Sequence, residues 1–208
     1  MWRKMIGVIG ALPVSISNAS NFIEFDINGS NFTGKVNIDF GGLPGLLWLV
    51  LASNPLGRGE ADDLDFLNSL TKCRKLQILD LSYDQLGGVI PDSIGYLSTQ
   101  PVQLRLGGNL LWGSIPTGIN NLVNLTDLRM QKNNMTGNIP AVIGNLKMLR
   151  LLDLSENQFS GSVSSIANLT RNCLKPFTPP GLATKNQKPS LVFDEQFRIP
   201  YILCCLNK

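Results

Sequence analysis

Asp80, Asp127 and Asp153, with Arg105 and Arg129, are the side chains whose types and spacing best suit chemistry in this chain of 208 residues. Paired carboxylates do general acid–base work, most often with a histidine beside them, but the chain contains no histidine. It also has no G-x-G-x-x-G loop, no H-R-D triplet and no phosphate-binding P-loop. Its four cysteines, Cys73, Cys173, Cys204 and Cys205, show no C-x-x-C spacing, and without histidine the common Cys/His zinc sets are excluded. The sequence therefore predicts no catalytic residues, no metal and no cofactor. What remains for these charges is contact with another molecule.

Their spacing comes from a longer period. Around Asn157 stand Leu152 five residues before, Leu154 three before, Phe159 two after and Gly161 four after. The same offsets around Asn133 give Leu128, Met130, Met135 and Gly137, and around Asn109 they give Leu104, Leu106, Leu111 and Gly113. These three anchors are 24 residues apart. Earlier anchors fall at Asp84, Asn54 and Ser30, with intervals of 25, 30 and 24. One extra residue thus sits near 98–100 and six between Pro55 and Lys75. A further step back lands on Ile6, so the chain is expected to open inside a repeat.

A unit of this length cannot bury its own apolar face, whereas several stacked units share one core. The L-x-L before each anchor reads as a short strand with both leucines inward and the residues between them outward. The anchor Asn, turned inward, is suited to satisfy backbone groups that would otherwise be buried and unpaired. Asp84 and Ser30 do only part of that, so those turns are expected to be looser. The outward residues of the six strands then form a continuous concave sheet. With about 4.8 Å between strands it spans roughly 24 Å, enough for about seven extended peptide residues. The side chains assigned to ligand contact are Trp48, Asp80, Arg105, Asp127, Arg129, Gln131 and Asp153, with Trp and Arg as the anchors.

The motif L-x-x-L-x-L-x-x-N-x-L-x-G-x-I-P-x-x-I-G-x-L, completed by Ile94-Gly95-Tyr96-Leu97 and Ile143-Gly144-Asn145-Leu146, resembles the plant type of leucine-rich repeat found in the extracellular domains of receptor-like kinases and receptor-like proteins. The resemblance covers roughly residues 8 to 169. It implies an α/β repeat solenoid, a right-handed superhelix with short parallel strands on the concave face and loops or 3-10 turns on the convex face. The insertion Glu60 to Leu70 is similar to a segment common among the immune-receptor subfamily. It reads as a short helix with acids in its first turn and with Leu64, Leu67 and Leu70 on one face. The resemblance further implies a peptide or protein ligand, a co-receptor ectodomain as second partner, and a place on the extracellular face of the plasma membrane or in secretion.

The expected organisation is an incomplete repeat over 1–21, an array of about six units over 22–169 with an insertion at 57–74, and an off-pattern tail over 170–208. A disulfide between Cys173 and either Cys204 or Cys205 is open within that tail, while Cys73 is expected to pack as a small hydrophobe before Leu76. Both ends read as cut, and uncapped coils that expose leucine faces invite association. The N-terminal apolar run Met5 to Val14 stays in phase with the repeats, which favours a broken repeat over a signal peptide.

The net charge of +3 arises from 18 basic and 15 acidic residues that are scattered, which leaves no electrostatic footprint for nucleic acid. No stretch approaches the length of apolar residues needed to span a bilayer. Asn-x-Ser/Thr sequons occur at Asn18, Asn31, Asn124, Asn134 and Asn168, and also at Asn28. They are candidate glycosylation sites, although a glycan on Asn28 would obstruct the inner face. The reading is of a non-catalytic binding module. Its alternative is a truncated remnant, or a secreted receptor-like or inhibitor-like protein with no signalling role of its own.

Overall fold

In the computed structural model, which describes residues 10–98 and 100–160, the period becomes a stack of coils. Nine short strands run along it: β1 (Glu24–Asp26), β2 (Trp48–Val50), β3 (Ile78–Asp80), β4 (Gln103–Arg105), β5 (Trp112–Gly113), β6 (Asp127–Arg129), β7 (Asn134–Asn138), β8 (Leu151–Asp153) and β9 (Gln158–Ser160). Six of them form one parallel sheet in the order β1-β2-β3-β4-β6-β8. Its register has no stagger, so Phe25, Leu49, Leu79, Leu104, Leu128 and Leu152 stand in one line. All six point into a single core that runs through the stack. Each leucine removed from water contributes roughly 1.5–3 kcal/mol, and none of the units would collect that alone.

The anchors supply the polar half of the core. The Asn109 amide donates to the carbonyls of Leu81, Leu106 and Gly107, and its Oδ1 accepts the Leu86 amide. Asn133 repeats the arrangement with Leu106, Met130, Gln131 and Leu111. Asn157 does so with Met130, Leu154, Ser155 and Met135. Every anchor follows a residue in the left-handed region: Gly29, Ser53, Tyr83, Gly108, Lys132 and Glu156. That turn swings the next side chain under the sheet, and four of the six residues adopt it without the freedom of glycine. The two substituted anchors are incomplete, as expected: Ser30 Oγ and Asp84 Oδ2 are buried without a partner.

The convex side carries 3-10 turns at Val14–Asn18, Phe40–Gly42, Asp92–Tyr96, Thr117–Asn121 and Ala141–Asn145. The last three follow prolines in extended conformation. Gly95 accounts for the glycine of the I-P-x-x-I-G segment, since a Cβ there would lie 2.2 Å from the Gly118 carbonyl oxygen of the next turn. The Asp39-Phe40-Gly41 triplet spells a metal-binding signature of kinases, but here it shapes one of these turns. Asp39 caps the Gly41 amide at 2.8 Å and Phe40 is fully buried.

A second parallel sheet, β5-β7-β9, lies just after the anchors. The resemblance implies only loops or 3-10 turns outside the concave strands. β5 and β7 end before the pairs Ile115-Pro116 and Ile139-Pro140, which keeps proline out of the ladder.

The insertion differs from its expected form. The α-helix is only Leu67–Leu70, with no acid in its first turn, and residues 61–66 are turns. Aspartates compete with helix by bonding nearby backbone amides. Asp63 does so here, its Oδ2 accepting from the amides of Arg58, Glu60 and Gly87 at 2.9–3.0 Å. Leu64, Leu67 and Leu70 are nevertheless all buried, and Phe66 meets Phe40 edge-on with ring centroids 5.9 Å apart. Lys35 pairs with Asp62 across the same junction. Cys73 is buried, donates its thiol to the Phe40 carbonyl at 3.2 Å, and is pushed up to about 11 by burial and by the Asp39 charge. Cys173, Cys204, Cys205, Asn168 and the whole 170–208 tail lie outside the described residues.

Candidate functional site on the concave sheet

Because the main sheet has no stagger, outward residues fall into straight rows across it. One row reads Glu24, Trp48, Ile78, Gln103, Asp127 and Leu151, and the other Asp26, Val50, Asp80, Arg105, Arg129 and Asp153. Six of the seven assigned contact residues stand in these rows, and four of them, Asp80, Arg105, Asp127 and Arg129, meet in one charge network. Arg105 sits between two carboxylates, with Nη2 at 2.8 Å and Nε at 3.0 Å from Asp127 Oδ2, and Nη1 at 3.4 Å from Asp80 Oδ2. Arg129 Nε donates to the other Asp127 oxygen at 2.9 Å. Asp127 thereby holds both arginines, and its side chain keeps only 10% of its surface exposed. Burial opposes the Arg105 charge, but the hydrogen bond and charge of Asp127 and the charge of Asp80 outweigh it and raise its pKa. Asp127 ties the two arginines together, while Arg129 keeps 36% of its side-chain surface exposed.

The other assigned residues are placed differently. Trp48 is exposed on β2 beside Val50 and Ile78, an apolar group flanked by Glu24 and Asp26 on β1 and by Asp80 on β3. Asp153 is turned back on its own coil, where Oδ1 accepts from the Ser155 amide and hydroxyl. Gln131 lies over the bare backbone of Gly107, close enough that a Cβ there would meet its amide at 2.4 Å. The positions following the strands, Ala52, Ser82 and Ser155, are buried and contribute little to an accessible face. The sequon residues Asn18, Asn28, Asn31, Asn124 and Asn134 are all exposed. Sequence reasoning missed Asp63 altogether, because three amides from two coils converge on it only once the coils are stacked.

Rows of outward side chains on a curved parallel sheet, over a leucine core with an asparagine ladder, define the leucine-rich-repeat class. Residues 75–97, 124–146 and 148–169 match the Leucine Rich Repeat family model, and the chain carries repeats of this type. Over 86 residues it is 43% identical to the LRR receptor-like serine/threonine-protein kinase EFR of Arabidopsis thaliana, a match that takes in 41% of this chain and 8% of that protein. The fold superposes on the LRR ectodomain of the plant membrane receptor kinase GASSHO1/SCHENGEN3 from Arabidopsis thaliana, solved in complex with CASPARIAN STRIP INTEGRITY FACTOR 2. That match has a TM-score of 0.70 at 33% identity, covering 78% of this chain and 19% of that one. It also matches the Arabidopsis receptor kinase HAESA in complex with the peptide hormone IDA and the co-receptor SERK1, with a TM-score of 0.64 at 31% identity over 74% of this chain and 24% of that one. Over the matched segment the chain is homologous to plant leucine-rich-repeat receptor-like kinases, and it spans under a tenth of the curated relatives' length.

Proposed function

We propose that the chain is a non-catalytic binding module of the extracellular receptor type, and that its concave sheet takes up a peptide or protein ligand, with a co-receptor ectodomain as a second partner. The observation that carries this is an apolar group at Trp48, Val50 and Ile78 set beside a charged network at Asp80, Arg105, Asp127 and Arg129 on one face. Tryptophan and arginine are the side chains that most often dominate protein interfaces. Arg129 is held from one side by Asp127, so little of its freedom is left to lose on binding. Similarity to ectodomains solved with a peptide hormone supports the same reading.

The test is to produce the full chain through a eukaryotic secretory pathway and expose it to an array of synthetic extended peptides of varied charge. Peptides joining an apolar residue to an acidic one are expected to bind, and Trp48→Ala and Arg129→Ala each to weaken that binding about tenfold or more. Binding that neither substitution alters would overturn the assignment to this face.

A further inference from the structure

The flank formed by the second sheet carries an apolar group that the concave site does not use. Trp112 is 36% exposed, Val89 49% and Leu110 45%. Val89 bridges directly to Trp112, and Trp112 pairs in turn with Asn134. Directly paired residues of a parallel sheet project to the same side, on strands about 4.8 Å apart. On β7 exposed and buried positions alternate, so Asn134 and Thr136 face outward while Met135 enters the core. Asn134-Met135-Thr136 is a sequon, and its acceptor amide therefore stands beside the exposed indole.

We propose that Asn134 carries an N-linked glycan whose first N-acetylglucosamine lies on Trp112 and shields the Trp112–Val89–Leu110 patch. In the transfer, Asn134 Nδ2 forms a bond to C1 of the sugar, the C1–oxygen bond to a lipid diphosphate carrier breaks, and the amide proton passes to a base. The reaction involves no change in oxidation state. The flat face of the sugar presents C–H groups that suit an aromatic ring, whose face is negative and whose bulk is apolar. An uncovered apolar patch on a polar flank otherwise invites association. The proposal rests on the extracellular location proposed above and not on the concave face being the binding surface.

Glycopeptide mapping of the full chain secreted from a eukaryotic host is expected to find Asn134 occupied. Asn134→Gln and Thr136→Ala, which remove the sequon in different ways, are each expected to lower the melting temperature by about 2–4 °C. Trimming every glycan to its first sugar is expected to leave that temperature unchanged. In a Trp112→Ala background, the loss of the sequon is expected to have no further effect. An empty Asn134 in a chain occupied at Asn31 or Asn124 would overturn the proposal while leaving the location intact. So would an equal loss on Asn134→Gln with and without Trp112. A dimer of the fully glycosylated chain that Trp112→Ala dissolves would assign the patch to a second copy and also overturn it.

Discussion

Asp84 Oδ1 accepts the backbone amide of Asn54 at 2.8 Å, while Asp84 Oδ2 is buried with no partner. In neighbouring coils the corresponding atom is an amide nitrogen that donates to three carbonyls. An ionised carboxylate in that place meets acceptors where it needs donors, and burial pushes Asp84 up to about 8.

Asp84→Asn restores the missing donor and is expected to stabilise the chain by about 1–3 kcal/mol at pH 7. The sign follows from linkage. A folded pKa raised above the unfolded value favours folding when the group is protonated, so the Asp84 contribution is full below pH 4 and is lost as pH rises toward 8. Urea unfolding from pH 4 to 9 is the measurement, and Asp84→Asn should flatten that slope. An unchanged slope would show that another group sets it.

Asn133→Ala has the opposite effect. It strands the amide of Leu111 and takes one donor from the carbonyls of Leu106, Met130 and Gln131, which keep the Asn109 amide, the Asn157 amide and the Gly108 N–H, at an expected cost of about 1–3 kcal/mol. Because a solenoid is held by contacts between adjacent coils, hydrogen exchange should accelerate most around β4, β6 and β8. Uniform acceleration along the chain would contradict that local character.

Asp63→Ala removes the acceptor that ties the insertion to Gly87 in the next coil. The expected loss is on the order of 2–3 kcal/mol, appropriate to hydrogen bonds made with a charged group. The local readout is cleavage by trypsin after Arg58, which should become faster than in the parent chain. Equal cleavage rates would show that packing of Leu64, Leu67 and Leu70 holds the loop by itself.

Asp127→Asn weakens the hold on both arginines and leaves two guanidinium groups on adjacent strands less well neutralised. A destabilisation of about 1–2 kcal/mol is expected, discounted for the exposure of both partners. Denaturant midpoints of parent and variant should converge in molar salt, where charges are screened within about 3 Å. A gap that persists would assign the effect to hydrogen bonding alone.

The coil repeat, the six main strands and the partial fit of Asp84 and Ser30 were legible in the sequence because each depends on residue type at a fixed offset. The second sheet was not. Its pairs, such as Trp112 with Asn134, join residues with no marked strand pattern and exist only once the first sheet sets the spacing of the coils. The insertion helix was overestimated because Asp63 bonds the loop amides instead of starting a turn of helix. On the concave face the outward positions were readable from strand alternation, but not that Asp127 would sink between Arg105 and Arg129. That depends on the lengths of side chains meeting across strands, about which periodicity is silent.

The zero stagger of the main sheet also gives this surface the character of a vernier scale. Its rows offer one side chain about every 4.8 Å, whereas an extended chain laid across them advances about 3.3 Å per residue. The two rulings coincide again after two strands and three residues, roughly 10 Å. A molecule crossing the face in this direction is therefore interrogated at every third position, and the residues between those positions are free to vary.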